Sequence, residues 1–248
     1  MISALAITFN EARNVEAYIE RLSFADEIII VDSFSSDGTK ELAEKMGARV
    51  VQRKFDHFSN QRNFALSLAK HDWVVFFDLD ERINNDLVLE IKEKVNSQAQ
   101  LDGYYVKRQY FFFNQRIKYS GFQTDWSVRL FKKSTCTYDG NFVHEEIKTT
   151  GQFGRLSNAA DHYSFSDFDR YNQKLTQYSK LQADVLFDKG VRPNLFHFLV
   201  RPSYRFFTQY FWRLGLLDGK AGFILAYVHS FAVFKRYAFL WLKYRGIE

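Results

Sequence analysis

Asp78 and Asp80 are the residues whose type and spacing first suggest chemistry in this chain. They close the stretch Trp73 to Arg82, read WVVFFDLDER, with Glu81 beside them. Two close carboxylates repel, and each is stabilised by a cation. A hard divalent ion, Mg2+ or Mn2+, holding a phosphorylated substrate would satisfy both. A D-x-D triplet alone means little, since about one is expected by chance in a chain of this size and ordinary composition. A second one, Asp167 and Asp169, has no apolar run before it. The context of the first is different. Trp73 to Phe77 are apolar without a break, the pattern of a strand buried on both faces in a parallel sheet. Ligands of open α/β sheets bind just outside the carboxyl ends of strands, which is where these acids fall.

The elements that must position them can be read in order. Ile2 to Phe9 reads as a strand, and a helix begins at Asn14 with Val15, Tyr18, Ile19 and Leu22 on one face. Glu27 to Val31 is a second strand ending at Asp32. The turn-rich SFSSDGT follows, where Ser36 or Asp37 can cap a helix reaching about Met46. Arg49 to Gln52 is a short third strand, and a helix over Ser59 to Ala69 leads to Trp73. This β-α-β-α-β-α-β order predicts a parallel sheet with right-handed crossovers. A helix over Asn84 to Val95 comes next. The aromatic alternation of Gly103 to Phe113 then predicts antiparallel strands, with further ones over Trp126 to Phe131 and Asn141 to Lys148. Beyond Ser166 the pattern is helical: Phe168 to Asp188, Leu195 to Leu217 interrupted near Pro202, and Ala221 to Tyr244.

Neither G-x-G-x-x-G after the first strand nor G-x-x-x-x-G-K-[ST] occurs. Nucleotide phosphates would therefore depend on a metal at Asp78 and Asp80. Acids at two strand ends, Asp32 and Asp78, can take ribose hydroxyls or a base N–H. The single cysteine, Cys136, excludes an internal disulfide framework and fits a reducing compartment. The N-terminus lacks a basic n-region, so no signal peptide is expected. No 18 consecutive residues are apolar, so no membrane-spanning helix is expected, and the run Ala221 to Phe234 reads as too short to span. The chain is rich in aromatics, and its net charge of +5 is unevenly placed. From Arg192 to Glu248, nine basic residues face two acids, a balance of +7 that leaves −2 for the rest. The basicity thus describes the tail's partner and not the strand-end acids.

Taken together, ITFNEARNV, VDSFSSDGT, QRNFAL and WVVFFDLDER resemble family 2 glycosyltransferases, the inverting GT-A-fold enzymes that use nucleotide-diphosphate sugars. TDWSVRLFK, FVHEEI, DHYSFSDFDRY and GLLDGKAGF resemble its lipopolysaccharide-core β-glucosyltransferase branch. Leu79 stands where a small residue is common, and Phe34 where a small polar one is; neither removes a functional group. The resemblance implies an α/β GT-A-type fold: a mostly parallel sheet sandwiched by helices, an antiparallel acceptor-side portion and a C-terminal helical extension. Residues 1–100 would bind the nucleotide sugar, 101–165 would form the acceptor side, and 166–248 the basic, aromatic extension. It also implies that Thr8, Phe9 and Glu11 border the uridine, Asp32 bonds the base or ribose and Arg62 lies near the uracil. Asp78 would face the ribose, and Asp80 would hold the metal bridging the diphosphate.

Inverting transfer needs a base for the acceptor hydroxyl and an electrophile for the diphosphate's growing charge. A metal on Asp80 would supply the second, and His162 could complete its site or simply cap the next helix. Glu145 in FVHEEI is the first candidate for the base and Asp125 in TDW the second, with His144 able to orient Glu145 or bind phosphate. Arg129 can match phosphate oxygens in a fork. The expected donor is a UDP-sugar, the acceptor a lipid-linked saccharide, and the tail's partner an anionic membrane, on the cytoplasmic face of the inner membrane. An aspartyl-phosphate hydrolase would also place D-x-D after a buried strand, but it calls for D-x-D-G-T and a later acidic pair, and this chain has no Asp-Asp. A purely binding protein for membrane or nucleic acid would explain the basic tail and not the strand-end acids, so no nucleic-acid partner is expected.

Overall fold

The chain's alternation of apolar strands and amphipathic helices is realised in a computed structural model that describes residues 1–97, 101–139, 147–165 and 167–247. The described residues form two compact units. The first comprises Met1–Arg108 and Asp125–His162, the second Gln109–Thr124 and Tyr163–Glu248.

In the first unit, β1 (Ile2–Thr8), β2 (Glu27–Asp32), β3 (Arg49–Gln52) and β4 (Trp73–Phe76) pair in parallel in the order β3-β2-β1-β4. Helices α1 (Ala12–Leu22), α2 (Thr39–Lys45) and α3 (Phe58–Leu68) make the crossovers. The register sets Thr8 beside Asp32 and Asp32 beside Gln52, so three strands end level. Then come β5 (Glu81–Arg82), α4 (Asn85–Asn96), β6 (Gly103–Phe112), β7 (Gln115–Ile117) and β8 (Trp126–Lys132). They are followed by β9 (Cys136–Tyr138), β10 (Ile147–Thr149) and β11 (Phe153–Phe165). The sheet continues past β4 as β8-β6-β11-β5, with antiparallel pairing of β4 to β8, β6 to β8 and β11 to β5. It is therefore a mixed sheet, parallel first and antiparallel after, as the sequence predicts.

Period-two alternation gives the sheet two apolar faces. Ala4, Ala6, Ile30 and Val75 pack with Tyr18 and Leu22 of α1 and Leu87 and Ile91 of α4. Leu5, Ile29, Val74 and Phe76 pack on the other face with Ala65 and Leu66 of α3. Burying each large side chain contributes roughly 1.5–3 kcal/mol. At Gly103 the backbones of β6 and β8 approach so closely that a Cβ would lie 2.6 Å from the Leu130 carbonyl oxygen. Long β11 is the element that sequence patterning passes over. FGRLSNAADHYSF is too polar to read as a strand, yet its pairing sets His162 opposite Glu81.

In the second unit, α5 (Phe168–Asp188) starts at Asp167, whose carboxylate accepts the Arg170 N–H at 2.9 Å. A π-helical turn over Phe196–Val200 leads into α6 (Arg201–Phe207), and a second covers Thr208–Trp212. Pro202 sits in the first turn of α6, just after the first π turn. Proline removes a backbone donor, and a widened turn is one way for a helix to absorb that loss. A 3-10 turn over Gly215–Asp218 precedes α7 (Gly219–Tyr244). Ala183 of α5 packs with Tyr237 and Leu240 of α7. Asp218 is buried and accepts the Lys118 N–H at 2.9 Å and the Ser120 hydroxyl at 2.7 Å.

Among the described residues, the helical stretch Gly215–Tyr244 has the length and composition to cross a membrane, with a mean hydropathy of 1.2 over its most apolar window. This corrects the expectation that the tail holds no such segment. Searching for an unbroken apolar run missed a helix that Lys235 and Arg236 interrupt. Length and composition equally suit a helix packed in a globular unit, and α7 buries Ala221, Leu225, Ala226, Tyr237 and Leu240.

His229 on α7 lies in a chain of polar groups. Its Nδ1 is 2.7 Å from the Gln209 side-chain oxygen, and its Nε2 bonds the Tyr171 hydroxyl. An amide oxygen only accepts, so Nδ1 carries the proton and Nε2 accepts from Tyr171. Burial first, then the nearby Arg205 guanidinium, push His229 down to about 3. The unfolded chain takes up this proton near pH 6.5 and the folded one does not, so stability falls as the pH drops from 6.5 towards 3. The predicted loss between pH 6.5 and 5 is about 1.5 kcal/mol. Urea unfolding should show it in the wild type and a correspondingly flatter profile in His229→Gln; identical pH slopes would assign the loss to other groups.

Candidate active site

Two turns and two buried strands hold the site in the first unit. After β4, the chain bends so that Glu81 N–H donates to the Asp78 carbonyl at 2.9 Å. The Asp78 N–H donates to Glu81 Oε2 at 3.1 Å. This turn brings Asp78, Asp80 and Glu81 together at the mouth of the strand. Arg129 follows from β8, one residue before Leu130, which pairs with Val75. Its buried guanidinium donates to Asp78 Oδ2 at 2.7 Å and to Glu81 Oε1 at 2.6 Å. Arg62, on α3, donates to Asp78 Oδ1 at 2.9 Å and lies 5.0 Å from the centre of the Phe76 ring. Asp78 thus has a guanidinium on each oxygen. Burial pushes its carboxyl up, but Arg129 and then Arg62 outweigh this and hold it well below the usual carboxylate range. Arg129 is raised in turn: burial opposes its charge, while Glu81 and Asp78 favour it more strongly.

Asp80 points to another partner. His162 Nε2 lies 3.2 Å from Asp80 Oδ2. Burial lowers His162, and the Asp80 carboxylate more than reverses this, so the imidazole is raised above its ordinary value. Asp125 accepts from Arg108 Nη2 at 2.9 Å, and Arg108 Nη1 is 3.9 Å from Glu81 Oε1. One connected network therefore runs from Arg62 through Asp78, Arg129, Glu81 and Arg108 to Asp125.

The ends of β1 and β2 supply a second group. Asp32 is fully buried, with Ser35 N–H at 3.0 Å and Gln52 Nε2 at 3.0 Å on one oxygen and the Ser35 hydroxyl at 2.5 Å on the other. The same hydroxyl accepts the Asn10 N–H at 2.8 Å, and Asn10 Oδ1 accepts the Ser36 N–H at 2.8 Å. The two loops are thereby stitched together. Glu11 belongs to this seam: its N–H donates to Thr39 Oγ1 at 2.8 Å, and its carboxylate accepts from Asn14 at 2.6 Å. Asn10 and Phe34 both adopt left-handed backbone, φ 55° and 61°, which is uncommon for Asn and strained for Phe. Buried Thr8 Oγ1 has no hydrogen-bond partner among the described residues, and the Phe9 side chain is largely exposed.

The structure therefore brings Arg62, Asp78 and Arg129 into one cluster and pairs Asp80 with His162. It places Thr8, Phe9, Glu11 and Asp32 at the adjoining strand ends and Asp125 on Arg108. Glu145, with His144, lies outside the described residues. Sequence reading missed Glu81 and Arg108 as members of the network. Glu81 stood next to the acidic triplet and could have been suspected, but nothing in the aromatic run Gly103 to Phe113 singles out Arg108.

Arg129 neutralises two carboxylates, one of them buried, so removing it should destabilise the first unit. Arg129→Met is predicted to cost about 3–5 kcal/mol, since breaking a buried pair leaves an uncompensated charge. The double variant Arg129→Met/Glu81→Leu should recover part of this. Urea denaturation that shows less than about 1 kcal/mol for the single variant, the range of a surface pair, would contradict the reading.

The sequence profile described as Glycosyl transferase family 2 matches residues 3–149. An uncharacterized glycosyltransferase of Rickettsia bellii is 30% identical over 249 residues, spanning 96% of this chain and 85% of its own. The lipopolysaccharide core biosynthesis glycosyltransferase LpsC of Rhizobium meliloti is 27% identical, spanning 96% of this chain and 93% of its own. Glucosyl-3-phosphoglycerate synthase of Mycobacterium tuberculosis, crystallised with Mn2+, UDP and phosphoglyceric acid, superimposes with a TM-score of 0.38 at 27% identity, over 44% of this chain and 43% of its own. The profile match and the nearly full-length relatives establish the conclusion to which the strand-end acids point: the chain belongs to glycosyl transferase family 2.

Proposed function

We propose that this protein is an inverting, metal-dependent hexosyltransferase that moves a sugar, glucose first among candidates, from a UDP-sugar to a lipid-linked saccharide such as lipopolysaccharide core. The observation that carries the reading is the division of labour at the mouth of β4. Asp78 is already neutralised by Arg62 and Arg129, whereas Asp80 has an imidazole 3.2 Å away. The LpsC relative supports the acceptor class.

The residues present fit a divalent ion. Asp80 is partly exposed at the strand mouth and His162 supplies a nitrogen, a donor pair suited to Mn2+, while Mg2+ commonly binds one or two carboxylates plus substrate phosphates. Among the described residues no three His, Cys, Asp or Glu side chains gather as a complete metal cage, so diphosphate oxygens and water would fill the remaining positions. When bound, such an ion offsets the negative charge that grows on the leaving diphosphate. Asp80 and His162 would hold it. Asp78, fixed by two guanidiniums, faces the ribose; Arg62 borders the uracil, and Arg129 keeps the acids together or turns to phosphate. Thr8, Phe9 and Glu11 border the uridine, and Asp32 reaches base or ribose by exchanging Ser35 or Gln52. Glu145 takes the proton from the acceptor hydroxyl. Asp125 is second choice because it would first have to release Arg108.

The second unit supports a membrane-bound acceptor on the cytoplasmic face of the inner membrane. Phe196, Val200, Tyr204, Phe207 and Phe211 form an exposed row at helical spacing, and Phe223, Tyr227, Phe231 and Phe234 form another on α7. Trp212 is 87% exposed. In residues 189–247 the lone acid is Asp218, which is buried. This surface fits an anionic lipid interface, where each cation contributes about 1 kcal/mol. Flotation with anionic vesicles should recover the protein at low salt and less at high salt. Equal recovery on neutral vesicles, or none on either, would make the tail a purely structural extension.

Two substitutions test the chemistry. Asp80→Asn should reduce transfer from UDP-glucose by about 10² or more with the thermal melt unchanged, and EDTA should do the same to the wild type. Full activity in either case would remove the metal from the reading. Glu145→Gln should lower kcat by about 10² while UDP affinity barely moves. An active Glu145→Gln together with a dead Asp125→Asn would transfer the base role to Asp125.

A further inference from the structure

Every partly buried arginine of the first unit's network has its acid: Arg62 and Arg129 have Asp78, and Arg108 has Asp125. The second unit does the opposite. Arg201, Arg205 and Arg213 recur in steps of four and eight, and fully buried Gln209 fills the missing position in the row. Arg236 joins them from α7. None of the four guanidiniums makes an ion pair with a carboxylate among the described residues. Arg201 lies 6.0 Å from the Tyr237 ring, and Arg205 Nη2 is 3.5 Å from His229 Nδ1. That nitrogen already donates to Gln209, so it cannot accept from Arg205. The arginines act on one another. Burial lowers Arg205 and Arg213 lowers it further, with Tyr171 opposing them and Arg236 adding to them; burial lowers Arg236, which Tyr237 offsets in part by charge and hydrogen bond while Arg201 adds to the lowering.

Unpartnered donors accompany them. The Gln209 amide nitrogen and Arg236 Nε are buried without a hydrogen-bond partner. Asp218, the one acid within this stretch, is committed to Lys118, Tyr119 and Ser120. Gathering like charges beside buried donors costs stability, and a multiply charged anion reverses the sign of that cost. Guanidinium forks match phosphate oxygens, and the surrounding rows of exposed aromatic residues suit the apolar part of the same molecule.

We propose that Arg201, Arg205, Arg213 and Arg236 form a receptor for a phosphomonoester or diphosphate group carried on a lipid, with Gln209 as a neutral donor. The inference extends the membrane reading above and is independent of which sugar is transferred. It differs from general surface attraction in requiring a particular headgroup.

The test uses the full chain and two vesicle types matched for zeta potential, one bearing phosphatidic acid, a phosphomonoester, and one phosphatidylglycerol, a phosphodiester. Phosphatidic acid vesicles should bind about tenfold more tightly, the effect of one well-formed charge-assisted fork. Arg205→Gln and Arg236→Gln should abolish that preference while leaving phosphatidylglycerol binding within about twofold. Arg192→Gln, outside the cluster, should lower both equally. Arg205→Lys keeps the charge without the fork and should lose most of the preference. Should the buried variants melt early, exposed Arg213→Gln gives the same reading. Equal binding of the wild type to both vesicles, or an Arg192→Gln variant that loses the preference as fully as Arg205→Gln, would overturn the proposal. Inorganic pyrophosphate that binds as tightly as the phosphatidic acid vesicles would overturn the lipid source. UDP-glucose hydrolysis, measured in parallel, should be unchanged in these variants. A wild type that shows no preference while its hydrolysis is intact would then count against the receptor and leave the transferase reading standing.

Discussion

The buried guanidinium of Arg129, shared between Asp78 and Glu81, is the interaction on which the first unit's site depends. Taking carboxylates out of water costs several kcal/mol each unless geometry and hydrogen bonds compensate. Parallel strands end in a place where a ligand can reach, and the acids that serve it are half-buried by the same architecture. Arg129 reconciles these demands because β8 runs antiparallel to β4 and delivers a cation across the strand end. Arg62 and Arg108 extend the solution outward to α3 and to Asp125. With Asp78 and Glu81 compensated from within, Asp80 meets His162 at the mouth, and in the proposed reading these two would hold the cation.

The second unit answers a different constraint. Its helices leave two rows of largely aromatic side chains facing outward, and Asp218, its only buried acid among the described residues, is used internally. A lipid surface would satisfy both the apolar rows and the cations. A protein that acts on a lipid-linked acceptor needs such an attachment, because the acceptor does not leave the interface. Family membership sets aside a phosphohydrolase or a purely binding protein as explanations of the strand-end acids. The unmatched arginines add a selectivity that surface charge alone would not give.

Much of this was legible in the sequence, for physical reasons. Short unbroken runs such as WVVF and EIIIV, rich in β-branched residues, read as buried strands, so the parallel half and the acids at its edge follow from length and composition. The caps Asn84 and Asp167, whose side-chain oxygens take an open backbone N–H, went unread because apolar periodicity alone does not mark a cap. Polar β11 was not legible, because a strand whose neighbours are charged groups of a site carries no apolar alternation. Arg108 and Glu81 were hidden in the same way, since a buried ion network is specified by pairing across strands and leaves no local pattern. The span of α7 was underestimated because two basic residues break its apolar run while its helix continues.

The central claim, that Asp80 and His162 complete a metal site only with the donor's diphosphate, has a direct test in Mn2+ binding followed by electron paramagnetic resonance. The account predicts weak Mn2+ binding by the protein alone and a marked tightening when UDP is added. Asp80→Asn and His162→Ala should each lose that tightening, while Arg205→Gln in the second unit keeps it. Mn2+ bound equally tightly with and without UDP, or a UDP effect that survives Asp80→Asn, would contradict the account.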